Sequence, residues 1–560
     1  MRNQLLEDDN TTDNERLRVG LLVDSLSQPR WIESVIRSIQ ASGIAEVVLV
    51  VKNNESPPEK KWRYQRYWQN RKHLLYAAYN RFDEFKTKID PDAFETVDVE
   101  PLLQNVPVIS VGPLTTKFTD RFKEKDVKAI LDYKLDVALR LGFRILKGEV
   151  LDIAKYGLWS YHHGDGAVNR GGPAGFWEVM EGESVTGAVL QVLTEELDNG
   201  KIICRSWSPT SDKFSARLNR NHYYWKASSF VMRALRRIHA GQLLTEENSY
   251  RPYSNRLYKT PSNVEMMRMG SNLVGKYFVN KVRSLTSFGQ WSLAYRFRVG
   301  ADDPNNTFYK FKYIIPPRDR FWADPFPVCV AGKYFVFVEE FVYRIGKGHI
   351  SVIELDRKGN YTSPMTVLET DYHLSYPCVF EWQGEFYMIP ETRDDRSIQL
   401  YRCAKFPAKW ELDTVLLDDL NATDATVMEH NGRWWMFANL GEKYYPSDWD
   451  ELNIFHAETL RGPWLAHAQN PVKSDVRGSR PAGKIFEWCG SLYRPAQDSS
   501  KLYGYAMSIN RITSLSPDEY SEKEVAAILP RWNKRVIGTH TINSCQDLTV
   551  IDCLMKRSRF

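Results

Sequence analysis

The 560-residue chain is poor in cysteine, has no long apolar run and carries no large excess of either charge. Its seven cysteines are odd in number, scattered and without a C-x-x-C pair. This pattern argues against a disulfide framework and against a zinc site, and favours reduced thiols. No stretch approaches the ~18 apolar residues that a membrane span needs. We therefore expect no metal site and no stable membrane insertion.

Two further features are missing, and each excludes a class of ligand. The formal charge is only +5, without a long Lys/Arg run, so a nucleic-acid partner is not expected. The first apolar strand is not followed by G-x-G-x-x-G, which argues against a dinucleotide site. The opening MRNQLLEDDNTTDNE is acidic and polar, unlike a secretory signal, so we expect a cytoplasmic protein of unknown oligomeric state.

What the chain does have is aromatic residues, with 17 Trp, 29 Tyr and 26 Phe. Such an abundance favours flat, sugar-like ligands that stack on rings. Residues 1–16 are polar and are expected to be disordered. Residues 17–240 alternate apolar runs, such as LRVGLLV (17–23) and EVVLVV (46–51), with helical patterns. This alternation predicts an α/β domain with a mostly parallel sheet.

Residues 241–305 are richer in Arg, Asn and Ser, and we expect them to form a connector. From 306 to 560 the sequence changes to short alternating strands with an internal repeat. Four repeat glycines, Gly332, Gly384, Gly432 and Gly490, recur about every 50 residues, the length of a four-stranded propeller blade. With residues 538–553 supplying a last inner strand, the pattern predicts an all-β five-bladed propeller. The predicted fold is thus multidomain, an α/β domain followed by this propeller.

Polar residues recur at fixed distances from the repeat glycines. Those seven residues after each glycine are Glu339, Glu391, Asn439 and Gln497, and those eight before it are Asp324, Tyr376, Asp424 and Ala482. Equivalent positions of successive blades converge on the propeller axis, so these side chains are expected to face one funnel. The alternative is that they only satisfy strand ends and turns.

Residues 158–203 resemble the core of the folate-dependent formyltransferases, which include methionyl-tRNA, glycinamide ribonucleotide and nucleotide-sugar N-formyltransferases. The motifs are a strand ending in Ser160 and His162, where the family has Asn-x-His, then RGGP (170–173), TG (186–187) and LDNG (197–200). The resemblance implies that 10-formyltetrahydrofolate is the formyl donor. It also implies that His162 is the catalytic imidazole and Asp198 the catalytic carboxylate.

The resemblance extends to the flanking segment 142–157, which resembles the strand and loop beside the folate pterin. It implies that Phe143, Ile145 and Leu146 contact the cofactor. Arg170 and Gly171 could bind a phosphate of the substrate or only shape a loop.

One position departs from the family, because Ser160 replaces the asparagine and offers a single hydroxyl. Three explanations are open: Ser160 acts through a water, a neighbour such as His163 or Asp165 substitutes, or the domain no longer transfers formyl groups.

The C-terminal half resembles the five-bladed propellers of glycoside hydrolases that act on arabinofuranosides, xylosides and fructans, and a propeller-like region of some glycosphingolipid glycosyltransferases. The motif WADPFP (322–327) implies that Asp324 is a catalytic carboxylate. Glycoside hydrolysis needs two carboxyl groups, for which Glu339, Glu391 and Asp424 are the other candidates. Tyr376 stands where a second-blade aspartate is expected. We therefore expect these five residues to bind sugar without hydrolysing it.

The two halves together suggest an enzyme of bacterial glycan biosynthesis that transfers a formyl group to an amino sugar. The sugar would be free, nucleotide-linked or part of a glycan. Methionyl-tRNA formylation is less expected, since a strongly basic tRNA-binding domain is lacking. The alternative is a glycan-binding or glycoside-processing protein with a catalytically degenerate formyltransferase fold.

Overall fold

The computed structural model describes residues 15–54, 71–116, 118–164, 170–196, 200–210, 214–242, 256–298, 308–441 and 449–559. The chain forms two compact units, one within Asp9–Lys276 and the other within Tyr277–Phe560. Among the helices of these ranges, none is long and apolar enough to cross a membrane.

The N-terminal unit is built on one seven-stranded sheet. Its strands are β1 (Leu17–Val23), β2 (Ala45–Asn53), β3 (Val108–Val111), β4 (Val137–Arg140), β5 (Leu158–His162), β6 (Val185–Val192) and β7 (Lys201–Pro209). Their order across the sheet is β7-β6-β5-β4-β1-β2-β3. The five strands from β5 to β3 are parallel, whereas β6 is antiparallel to both its neighbours. The predicted mostly parallel α/β sheet is confirmed.

Helices and short elements complete this part of the chain. The α-helices are Arg30–Gln40, Leu74–Lys86, Glu124–Leu131, Trp177–Glu181, Ala216–Ser228, Phe230–His239 and Asn263–Thr286. The 3-10 helices are Arg71–His73, Glu100–Leu102 and Glu149–Asp152. The short strands are Ser27–Pro29, Thr96–Asp98, Leu114–Thr115, Thr119–Arg121, Ile145–Leu146, Arg170–Gly171 and Leu257–Tyr258. The first helix follows Pro29 and buries Ile32, Val35 and Ile39, whose helical spacing predicted it.

The C-terminal unit contains five sheets, which form the predicted five-bladed propeller. Blade one consists of Arg320–Val330, Lys333–Val342, Lys347–Leu355 and Met365–Leu368, and blade two of Ser375–Trp382, Glu385–Thr392, Ser397–Lys405 and Lys409–Asp418. Blade three consists of Ala422–His430, Arg433–Leu440, Glu451–Ala457, Leu465–Ala466 and Lys473–Ser474. Blade four consists of Phe486–Trp488, Ser491–Asp498, Ala506–Leu515 and Tyr520–Ile528. Blade five consists of Ser287–Phe297, Lys312–Ile314, Val536–Gly538, Ile542–Cys545 and Leu548–Ser558, and 3-10 turns lie at Phe308–Lys310 and Arg393–Asp395.

The repeat glycines make the hairpins between the first two strands of their blades. Gly332, Gly384, Gly432 and Gly490 have φ of 76, 78, 72 and 70°, and each follows a residue with φ of 49–53°. Two successive positive φ values define the type I′ turn, whose twist matches that of the flanking strands. The periodic glycines therefore mark the blades because this turn needs them.

The fifth blade joins the two ends of the unit. Strand Ser287–Phe297 pairs antiparallel with strand Leu548–Ser558, from Ser287 opposite Ser558 to Phe297 opposite Leu548. Such pairing closes the ring and leaves no open end between the first and last blades. Strand Ser287–Phe297 lies inside residues 241–305, where we expected a connector, so the propeller includes residues before 306.

Apolar clusters hold successive blades together. Blades one to three share a cluster that contains Phe337, Met388 and Met436. Phe437 and Ile512 belong to a cluster that joins blade three to blade four. Met507 and Ile551 belong to one that joins blade four to blade five, and Leu293 and Val336 to one that joins blade five to blade one. The core is thus distributed between the blades, and the inner strands face a polar centre.

Candidate functional site

In the N-terminal unit, a cavity of about 230 Å³ lies at the C-terminal ends of β4 and β5. Such ends are where open α/β sheets bind ligands. Ser160 and His162 line the cavity from β5, and Arg140 lines it from the end of β4. Residues Arg140 and Ser160 are register partners in the parallel ladder.

Of the three residues expected to contact the cofactor, two line the cavity and one is packed in the core. Ile145 and Leu146 line the cavity. Phe143 does not line it, because its ring is buried against Phe122 with centroids 5.2 Å apart and its backbone has φ of 62°. The structure therefore assigns Phe143 a packing position.

The cavity residues provide the kinds of group that a pterin ring needs. A flat heteroaromatic ring needs apolar contacts on its faces and hydrogen-bonding groups at its edge. Ile145 and Leu146 supply apolar wall, whereas Gln191 supplies an amide that can both donate and accept hydrogen bonds. The described lining thus fits the ring of a reduced folate.

Ser160 is buried and held by Arg140. Its Oγ accepts a hydrogen bond from Arg140 Nη1 at 3.0 Å and donates one to the Tyr161 carbonyl at 3.2 Å. Arg140 also donates from Nε to the Arg144 carbonyl and from Nη2 to the Phe143 carbonyl, both at 3.0 Å. Burial lowers the pKa of Arg140, although Asp24 and Asp120 partly oppose this effect.

His163 is not a substitute for the missing asparagine. Its ring stacks on Tyr224 with centroids 3.5 Å apart, and it does not line the cavity. Burial, with a smaller effect from His162, lowers the pKa of His163 to about 3. The imidazole is therefore neutral near pH 7 and has a packing role.

Three of the residues named from the sequence lie wholly or partly outside the described residues. Asp198 and Asp165 lie outside the described residues, and so does the side chain of Arg170. Gly171 has φ of 100°, and a Cβ there would meet the Tyr258 carbonyl oxygen at 2.2 Å. Close backbone approach explains this glycine, which favours the loop-shaping interpretation.

In the propeller, a cavity of about 340 Å³ lies over the central ends of the blades. We call it the funnel. Its lining includes Glu339 and Glu391, which were expected to face it, together with Trp291, Trp449 and Tyr503. Carboxylates beside exposed aromatic faces are the groups that bind sugar hydroxyls and ring faces.

The three inner-strand residues Asp324, Tyr376 and Asp424 are buried and do not line the funnel. Their φ values are 50, 44 and 54°, and each lies at a bulge in its strand pair. Positive φ in residues other than glycine costs about 1–3 kcal/mol and persists only where surrounding contacts impose it. Tyr376 shows such contacts, since its hydroxyl binds Thr426 Oγ1 and accepts from Gly483 N, both at 2.8 Å.

Asp424 is held by a buried arginine. Arg480 donates from Nε to Asp424 Oδ2 at 2.5 Å and from Nη2 to Oδ1 at 3.2 Å. Arg480 Nη2 also donates to Glu391 Oε2 at 3.3 Å, and Gln497 donates to Asp424 Oδ2 at 2.7 Å. Burial lowers the pKa of Arg480, but Asp424 and other anionic neighbours outweigh burial and raise it well above its ordinary value. The Asp424 carboxylate is therefore engaged by Arg480 and Gln497.

Asp324 belongs to a second buried cluster with His540 and Asp552. Asp324 Oδ1 accepts from Thr541 Oγ1 at 2.6 Å, and His540 lies between the two carboxylates, 2.5 Å from Asp552 and 3.6 Å from Asp324. Ligand atoms of the two aspartates and His540 lie within 4.8 Å of one another, so a cation could be held there. Burial lowers the pKa of His540, but Asp552 and then Asp324 outweigh burial and raise it. A protonated His540 would neutralise the same carboxylates, so the expectation of no metal stays a prediction.

The surroundings of Glu339 favour the protonated form of its carboxyl. Burial, followed by the charges of Asp324 and Glu391, raises the pKa of Glu339 well above its ordinary value. His373 Nε2 lies 3.4 Å from its Oε1. A protonated carboxyl in a sugar-sized cavity can donate a hydrogen bond or act as a general acid.

Sequence reasoning missed the residues that complete both sites. The funnel residues Arg480, Tyr503, His540 and Trp291 stand outside the two positions counted from the repeat glycines. Arg480 lies two residues before Ala482 of the repeat, a signal that was available only by scanning neighbouring repeat positions. Arg140 ends an apolar strand and had no motif to mark it.

Comparisons with known proteins find partial similarity to two kinds of transferase. Residues 315–545 match the family model described as glucosamine inositolphosphorylceramide transferase 1, N-terminal. A 209-residue stretch is 36% identical to glucosamine inositolphosphorylceramide transferase 1 of Oryza sativa subsp. japonica, covering 37% of this chain and 28% of that protein. A 104-residue stretch is 33% identical to methionyl-tRNA formyltransferase of Prochlorococcus marinus, covering 18% of this chain and 29% of that protein. The chain thus matches less than a third of the length of either relative.

Two solved structures are also similar to parts of the chain. A family 117 glycoside hydrolase of Zobellia galactanivorans is 13% identical with a TM-score of 0.32, covering 48% of this chain and 90% of that one. Glycinamide ribonucleotide transformylase 1 of Symbiobacterium toebii is 14% identical with a TM-score of 0.29, covering 42% of this chain and 92% of that one. Both of these sequence relatives are named as transferases, one a glucosamine inositolphosphorylceramide transferase and the other a methionyl-tRNA formyltransferase.

Proposed function

We propose that the protein is a formyltransferase that transfers a formyl group from 10-formyltetrahydrofolate to the amino group of a sugar. The observation that carries this proposal is the cavity at the ends of β4 and β5, where His162 and the Arg140–Ser160 pair meet. The similarity of a stretch of the chain to a methionyl-tRNA formyltransferase supports it. An amino sugar is a fitting acceptor because the second unit resembles a region of sugar-transferring enzymes.

His162 has the central role in this proposal. Formyl transfer to an amine needs a group that stabilises negative charge on the carbonyl oxygen and a group that takes the amine proton. His162 lines the cavity and can donate to that oxygen. Asp198 is proposed as its carboxylate partner on the strength of the LDNG motif.

The funnel is proposed to bind the sugar part of a glycan or nucleotide-sugar. Trp449 and Tyr503 offer rings for contact with the sugar, and Glu339 and Glu391 offer groups for hydroxyls. The cytoplasmic location and the bacterial setting stay predictions. We do not propose transfer to tRNA, because the chain carries a formal charge of only +5.

Calorimetric titration of the full chain with 10-formyl-5,8-dideazafolate, a stable analogue of the donor, tests the cofactor site. We expect saturable binding to the wild type, and weaker binding after Leu146→Asp places a charge in the cavity wall. The matched control is Leu131→Asp, at an exposed position outside the cavity. No binding to the wild type at millimolar analogue would contradict formyl transfer.

A second candidate function is glycoside processing in the funnel. The observation that favours it is that two acidic residues, Glu339 and Glu391, line one cavity, where burial raises the pKa of Glu339. Hydrolysis needs one acidic and one ionised carboxyl across the scissile bond. Release of 4-nitrophenol from nitrophenyl glycosides by the wild type, abolished in Glu339→Gln, would support it. No release from arabinofuranosides, xylosides or galactosides would leave the funnel as a binding site.

A further inference from the structure

Arg140 has an unusual position for a charged side chain. It is half-buried in the lining of the formyl-transfer cavity, yet it makes no ion pair with any described residue. Nearby Asp120 is instead engaged by Arg144, whose Nε donates to its Oδ1 at 2.9 Å. Asp24 and Asp120 act on the charge of Arg140 without forming an ion pair with it, so the guanidinium can still donate to a ligand oxygen that develops negative charge.

The guanidinium is also held rigidly. Its three hydrogen bonds to Ser160 Oγ and to the carbonyls of Phe143 and Arg144 fix its plane from three sides. A guanidinium has five N–H bonds, so two of them, five minus three, are not used by these contacts. Fixed donors that need no reorganisation are the groups that stabilise developing negative charge most effectively.

Ser160 cannot fill the asparagine's place by itself. Its single proton is donated to the Tyr161 carbonyl, and its oxygen already accepts from Arg140. The hydroxyl therefore supports Arg140 and has no proton left for a ligand in this arrangement.

We propose that Arg140, positioned by Ser160, is a catalytic residue that donates to the formyl oxygen in place of the family's asparagine. This inference rests on the proposed function. The acceptor amine attacks the formyl carbon, a C–N bond forms, and the carbonyl electron pair moves to oxygen, where Arg140 and His162 stabilise the charge. The bond to folate N10 then breaks, N10 receives a proton, and the amine nitrogen loses one, which yields the formamide and tetrahydrofolate.

The test compares two folate analogues that differ only at the formyl position. One carries a trifluoromethyl ketone, which hydrates in water to a tetrahedral diol, and the other carries a methyl ketone, which stays trigonal. Both are titrated by calorimetry into the wild type, Arg140→Gln and Arg140→Lys. Lys155→Gln is the matched control, since it removes one positive charge from an exposed site outside the cavity.

We expect the wild type to bind the hydrate more tightly than the methyl ketone by about 100-fold or more, as for other tetrahedral mimics. Arg140→Gln should reduce this preference about 10–100-fold and leave methyl-ketone binding almost unchanged, because the lost donor acts on the tetrahedral oxygen. Arg140→Lys should retain part of the preference because it retains the charge. Lys155→Gln should retain all of it.

Three results would overturn the proposal, and they differ in meaning. An unchanged preference in Arg140→Gln, with a normal melting temperature, would mean that Arg140 has no role at the oxygen, while formyl transfer would stand. Equal weakening of both analogues would mean that Arg140 binds a static anion of the donor. Binding of neither analogue to the wild type would reject the proposed function and this inference together.

Discussion

Arg480 donates two hydrogen bonds to Asp424 at the centre of the propeller, from Nε at 2.5 Å and from Nη2 at 3.2 Å. The ring of Tyr503 lies 5.2 Å from the same guanidinium, and Glu391 accepts a further hydrogen bond from it. One cation from blade four thus links anionic residues of blades two and three. We interpret this link as the electrostatic centre that holds the funnel in shape.

Removal of Arg480 should therefore destabilise the propeller strongly. Arg480→Met leaves the Asp424 carboxyl buried and without its charged partner, which typically costs about 3–5 kcal/mol. The double variant Arg480→Met with Asp424→Asn removes the orphaned charge and should recover part of that loss. Chemical denaturation followed by tryptophan fluorescence measures both. Equal stability of the single variant and the wild type would contradict the linking role.

The two funnel glutamates should respond differently to the same substitution. Burial raises the pKa of Glu339 well above the ordinary value, which favours its protonated form. Glu339→Gln is then nearly isosteric and isoelectronic and should change the melting temperature little. Glu391→Gln removes a charge that Arg480 contacts, so it should lower the melting temperature. A larger loss in Glu339→Gln than in Glu391→Gln at pH 7 would show that the protonation is assigned wrongly.

Asp324 should make the stability of the propeller depend on pH. Burial raises the pKa of Asp324 to about 6 from an ordinary value of 3.8. Between pH 3.8 and about pH 6, the folded state therefore binds more protons at Asp324 than the unfolded state does. The contribution of Asp324 is therefore fully present below pH 3.8 and is lost as the pH rises through about 6.

Asp324→Asn should remove this dependence. Over the rise from pH 4 to 6.5, the free energy of unfolding should fall less in the variant than in the wild type, by on the order of 1–3 kcal/mol. Denaturant titrations at a series of pH values provide the comparison. Parallel pH profiles for the two proteins would refute the raised pKa.

Gly483 and Gly432 allow a matched test of backbone crowding. Both have positive φ, 131° and 72°. A Cβ at Gly483 would meet the Ile542 carbonyl oxygen at 2.1 Å, whereas one at Gly432 would meet nothing within 4 Å. Gly432→Ala should cost about 1 kcal/mol from backbone strain alone. Gly483→Ala should lower the melting temperature clearly more, and equal effects would mean that the close approach of blades four and five is not required.

The sequence predicted the features that repeat or that follow one strand. The I′ turns of the blades demand glycine, so Gly332 and its equivalents revealed the propeller and the positions of Glu339 and Glu391. Strand Ser287–Phe297 was missed because its partner, Leu548–Ser558, lies some 250 residues away and no repeat glycine marks it. Pairing at such a distance leaves no local pattern.

Contacts between distant segments also explain which site residues the sequence did not reveal. His162 was found because it belongs to a motif within one segment, whereas Arg140 reaches Ser160 only through the parallel pairing of β4 with β5. Likewise Asp324 and Asp424 were expected to face the ligand, but Thr541 and Arg480 occupy their carboxylates. Composition and spacing place polar residues near an axis. They do not predict which side chains from other blades form hydrogen bonds with these residues.

The most direct test of the central claim is formation of the product. The full chain is incubated with 10-formyltetrahydrofolate and a panel of amino sugars, both free and nucleotide-linked, and mass spectrometry follows the N-formyl sugar while absorbance follows tetrahydrofolate. We predict stoichiometric formation of both by the wild type and a loss of roughly 10²–10⁴-fold in kcat in His162→Gln. Equal formation of an N-formyl sugar by both proteins, or by neither, would contradict the account.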